Sequence, residues 1–158
     1  MFSLIITIIS IALVAALALA TIYYGGNSFN RGSAEAKASQ YINEGQQING
    51  AFAMAKADAQ ANGTTAPVDL PGLQTAGYLA QVPAGWTLTN VPASGTGATA
   101  VAAHSIVTVS AADGVCVAVN KKAGAGTDGI ATSTDLASKV YGCVNGATGA
   151  AGTIQYRI

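Results

Sequence analysis

The sequence predicts an α+β fold: a long N-terminal α-helix in two segments, with a glycine-rich break between them, packed on a small antiparallel β-sheet domain. Three observations predict it. Residues 1–24, MFSLIITIISIALVAALALATIYY, are almost wholly apolar, and no charge precedes Arg31. Residues 33–62 repeat apolar side chains at helical spacing. Beyond residue 63, short alternating and β-branched runs are separated by Gly, Pro and Asn. The expected organisation is a hydrophobic helix over 1–24, a break over 25–32, an amphipathic helix over 33–62 and a β-rich head over 63–158.

At a rise of about 1.5 Å per residue the first stretch makes a helix of roughly 30 to 35 Å, the thickness of a bilayer's hydrocarbon core. It either crosses a membrane or lies wholly among similar helices. A cleaved secretory signal is a poorer match: the run is too long, no Lys or Arg precedes it, and no small-residue cleavage site with a polar flank follows. The segment is therefore expected to be retained. Ser3, Thr7 and Ser10 fall on one side, where hydroxyls can bond the carbonyl one turn earlier at little cost. Ala12, Ala16 and Ala20, with Ala15 and Ala18 alongside, give a small-xxx-small strip on which a second helix can approach closely; the alternative is that Ala merely fills an anchor helix. Tyr23 and Tyr24 suit a membrane–water boundary.

Gly25-Gly26-Asn27-Ser28-Phe29-Asn30-Arg31-Gly32 carries three glycines and two asparagines, which penalise helix, so Gly25 and Gly26 are expected to mark a break. Ser33 can cap a second helix, with Glu35 in its first turn. Ala34, Ala38, Tyr41, Gly45, Ile48, Phe52, Ala55 and Ala59 then form a stripe directed at the head, ending near Asn62-Gly63. Asn62-Gly63-Thr64 fits both a helix stop and a glycosylation acceptor.

In the head, Asp69 to Leu79 reads as a short helical turn closed by Gly77. Trp86 to Val91 reads as a strand. Val101–Ser110 and Val115–Val119 read as two β runs joined in a hairpin by Ala111-Ala112-Asp113-Gly114. Pro92–Thr99 and Lys121–Asp128 are glycine-bearing loops. Ser133 or Thr134 can cap a brief helix through Lys139, and Val140–Val144 and Thr153–Ile158 complete the strands.

Seven Lys and Arg balance seven Asp and Glu. Only Lys121-Lys122 are adjacent cations, which speaks against a nucleic-acid partner, and a chain near zero net charge self-associates readily. Cys116 and Cys143 lie in a Ser/Thr/Gly-rich part expected outside the cytoplasm. With no CxxC spacing and no nearby His, the pair reads as a disulfide and not as metal ligands. The lone His104 has no G-x-S-x-G partner, the glycine-rich stretches match no phosphate-binding loop, and the carboxylates are scattered. No enzymatic activity, metal or cofactor is expected.

These features, an uncharged N-terminal helix, a glycine-marked weak point, a second helix, a small β domain and a late cysteine pair, resemble the type IV pilin superfamily, most closely a mature type IVb major pilin. Leu73-Gln74-Thr75-Ala76-Gly77-Tyr78-Leu79 is similar to a stretch found in several type IVb pilins. The resemblance implies that a prepilin peptidase has removed a leader and methylated Met1, and that Cys116 and Cys143 bridge a C-terminal loop. It also implies a subunit held by a single pass in the inner membrane, then handed by pilus assembly machinery to an extracellular filament of identical copies. Ile5 stands where the family usually has glutamate. The alternative in the same superfamily is a membrane-anchored minor pilin or pseudopilin acting as a binding module.

Overall fold

A computed structural model describes residues 2–91, 104–124, 139–144 and 151–158. The chain falls into two compact units, Met1–Ala34 and Glu35–Ile158. Helix α1, Phe2–Asn62, contributes residues to both.

In the first unit the side chains from Phe2 through Gly26 are all exposed. The hydroxyls turn back on the helix: Thr7 Oγ1 donates to the Leu4 carbonyl, Ser10 Oγ to Ile6 and Thr21 Oγ1 to Ala18, each at 2.8 Å. The break expected at Gly25 and Gly26 is absent, because α1 remains helical through residues 25–32. No proline removes an amide there. Each glycine costs about 1 kcal/mol relative to alanine, but a helix already nucleated gains a hydrogen bond per added residue. Ser33, expected to cap a new helix, instead donates to the Asn30 carbonyl at 3.1 Å inside the continuous one.

The second unit is α+β. From Glu35 onward α1 buries Ala38, Ile42, Gly45, Ile48, Phe52, Ala55 and Ala59, a stripe three or four residues apart. It ends at Asn62 because Gly63 turns left-handed, with φ 63°, and the Thr64 amide donates to the Ala59 carbonyl at 3.0 Å. Helix α2, Leu70–Thr75, is capped by Asp69, whose Oδ1 accepts from the Gly72 amide at 2.8 Å. Leu70 and Leu73 are its buried residues.

Strands β1 (Thr87–Val91), β2 (His104–Ala111), β3 (Tyr141–Val144) and β4 (Gly152–Arg157) form one antiparallel sheet in the order β1-β2-β4-β3. Ile106 stands opposite Thr89 on one side and Arg157 on the other, and Ile154 pairs with both Val109 and Cys143. Val107, Val109 and Ala111 alternate inward along β2, as do Gly152, Ile154 and Tyr156 along β4. Ile48, Phe52, Leu73 and Trp86 are buried as well, and Gly45 of α1 lies close against the Tyr156 ring of β4.

The hairpin expected at Ala111–Gly114, and the strand after it, are replaced by helix α3, Asp113–Lys122. The alternation of Val115, Val117 and Val119 suggested a strand. The buried set is Val115, Cys116, Ala118, Val119 and Asn120, however, which is helical spacing. Asp113 in the first turn and Lys121 and Lys122 in the last complement the helix dipole. Val101 to Ala103, Pro92–Thr99, the later part of the Lys121–Asp128 loop and the turn of helix expected after Ser133 fall outside the described residues.

Candidate functional site

The apolar stretch of α1 is the surface that sets this molecule apart. It is long and apolar enough to cross a membrane, and none of its most apolar window is buried. Phe2 is 85% exposed and Ile22 74%, and Ile5, Ile9, Leu13, Leu17 and Leu19 are each more than half exposed. Covering one large aliphatic side chain is worth about 1.5–3 kcal/mol, so a dozen of them drive strongly toward lipid or toward other apolar helices. Ala12, Ala16 and Ala20 follow one another at one-turn intervals on this surface and are exposed. Next to them Tyr23 and Tyr24 meet edge to face, with centroids 5.5 Å apart. A Cβ added at Gly25 or Gly26 would meet nothing within 4 Å. Met1 falls outside the described residues.

Cys116 and Cys143 are joined in a disulfide, with Cα atoms 5.3 Å apart and both residues fully buried. Cys116 comes from α3 and Cys143 from β3, so the bridge ties helix to sheet edge. Beside it, a Cβ on Gly152 would collide with Cys116 Sγ and lie 3.1 Å from Cys143 Sγ.

A second cluster fastens α1 within the head. Trp86 Nε1 donates to Glu44 Oε2 at 2.8 Å, Gln40 Nε2 donates to Glu44 Oε1 at 2.8 Å, and the Tyr41 ring meets Trp86 edge-on with centroids 6.4 Å apart. With both carboxylate oxygens engaged, Glu44 is a strut between α1 and the residue just before β1. Lys122 Nζ donates to Ser39 Oγ at 2.8 Å, and Lys139 Nζ to the Gly124 carbonyl at 2.9 Å, holding the end of α3. A hydrogen bond to the Asp58 carboxylate raises the Tyr78 phenol above its ordinary range. Burial, and secondarily the neighbouring Tyr141, raises that of Tyr156. Among the described residues, no three His, Cys, Asp or Glu gather as metal ligands would.

Sequence reasoning pointed to the disulfide pair and the apolar stretch. It passed over Asn120, Glu44 and Trp86, whose partners are distant in the chain. The available signal was slight: Asn120 follows Cys116 by one helical turn in a run otherwise read as strand. Comparison with protein-family models, curated proteins and solved structures returned no match.

Proposed function

We propose that this chain is the structural subunit of an extracellular filament of the type IV pilus kind, polymerising through the apolar stretch of α1. One observation carries the reading: the largely apolar stretch Phe2–Tyr24 stands uncovered, while the described residues from Ala38 onward bury a core of their own. Lipid covers such a surface before assembly, and the same stretch of neighbouring copies covers it afterwards. The exchange is of like for like in polarity, so close packing decides it, and the strip of Ala12, Ala16 and Ala20 permits close approach. The glycines at 25 and 26 let the chain bend or extend as a copy is drawn in. A head stapled by a disulfide suits exposure outside the cell.

The partners in this reading are further copies of the chain, the inner membrane, a prepilin peptidase acting at Met1 and the assembly machinery. The test is electron microscopy and mass spectrometry of material sheared from cells that make the protein. Filaments composed chiefly of this chain are expected. Filaments in which it is a trace component would move the reading to a membrane-anchored binding module, and its absence from all sheared fibres would remove the polymer altogether.

A further inference from the structure

Asn120 is the buried polar residue of α3, with none of its surface exposed. Its Nδ2 donates to the Cys143 carbonyl at 2.7 Å, and the Cys143 amide donates to its Oδ1 at 2.7 Å. The ladder explains why both groups are free to meet it. The Arg157 amide donates to the Val140 carbonyl at 2.8 Å just before β3, so along this antiparallel pair the residues that face β4 with their main chain are Val140, Gly142 and Val144. Cys143, between the last two, turns its amide and carbonyl away from β4. Since β3 ends the sheet among the described residues, no described strand meets them. Asn120 does so in place of a strand. Cys116 lies one turn earlier on the same face of α3, so helix and edge strand are joined twice at one residue: through the Cys143 sulfur and through its main chain.

We propose that Asn120 is a sulfur-independent latch: it keeps α3 docked on β3 when the Cys116–Cys143 bridge is open, so the head folds before oxidation and tolerates reducing surroundings. The bridge then secures a fold that the amide already specifies. Because the latch grips main-chain atoms, it survives replacement of either cysteine side chain. Neither statement depends on the filament reading.

The experiment uses the full chain in detergent. Cys116→Ala with Cys143→Ala should unfold at lower denaturant than the parent, yet still cooperatively and with Trp86 fluorescence in its folded state. The backbone amide of residue 143 should keep its protection from hydrogen exchange. Adding Asn120→Ala to that pair should speed exchange at residue 143 by about tenfold or more. Asn120→Ala alone, with the bridge intact, should remain folded. As a second measurement, the reduced parent should react with iodoacetamide at least about tenfold more slowly in native buffer than in urea, since both thiols stay buried. A cysteine-free variant unfolded without denaturant would overturn the proposal. So would unchanged exchange on adding Asn120→Ala, or alkylation equally fast in both solvents.

Discussion

Gly45 lies where the Tyr156 ring crosses α1: a Cβ built there would stand 2.5 Å from Tyr156 Cδ2 and 3.0 Å from its Cγ. Helix propensity alone favours alanine there by about 1 kcal/mol, whereas overpacking costs about 1–3 kcal/mol. Gly45→Ala is therefore expected to lower stability by up to about 2 kcal/mol. Gly50→Ala, at an exposed helical position with nothing within 4 Å, is expected to raise it by up to about 1 kcal/mol. Urea denaturation of the two variants checks the opposite signs. Tyr156 also makes a pH prediction. Burial, with the neighbouring Tyr141, raises its phenol in the fold above the ordinary 10.0, so the folded state holds that proton more tightly than the unfolded one. Its contribution is whole below about pH 10 and is lost as pH climbs through the folded value. Tyr156→Phe, which keeps a ring beside Tyr141, should make the alkaline decline in unfolding midpoint shallower; the raised phenol of Tyr78 leaves a residual slope.

Among elements, α1 carries the prediction closest to function. Gly25→Leu together with Gly26→Leu replaces two poor helix formers with good ones on an already helical segment, so helix content by circular dichroism should hold or rise. If copies must bend or extend there on assembly, filaments from the double variant should be sparse or altered under the electron microscope. Normal filaments would remove the glycines from the mechanism. Elements also show what a sequence reveals. The end of α1 at Asn62, a short helical turn within Asp69–Leu79, and β1, β3 and β4 within a residue of their expected bounds all follow from local signals, glycine stops and alternation. Two misreadings have physical causes. Val115, Val117 and Val119 alternate like a strand, yet what decided the structure was burial of Cys116 and Asn120 one turn apart. The glycines at 25, 26 and 32 have poor intrinsic propensity, which a long helix overrides. Of the candidate site, the apolar stretch and the cysteine pair were legible. The Asn120 amide and the Glu44–Trp86 strut were not, because each needs a partner more than 20 residues away.

For the molecule as a whole, every buried apolar residue among those described lies at or after Ala38. A chain of residues 35–158 is therefore expected to fold with the parent's near-ultraviolet circular dichroism, to stay soluble without detergent and to form no filaments. Loss of its fold would mean that the first 34 residues contribute to the core, and threads grown from it would contradict the proposed polymerisation. One further consequence follows from the strand order. β4 follows β2 and β3 in the chain, yet it lies between them, and among the described strands β3 has no partner until β4 is made. On the ribosome, then, residues 2–24 emerge while the sheet is still incomplete. A nascent polypeptide stopped before Gly152 would leave unzipped edges for quality-control proteases to seize.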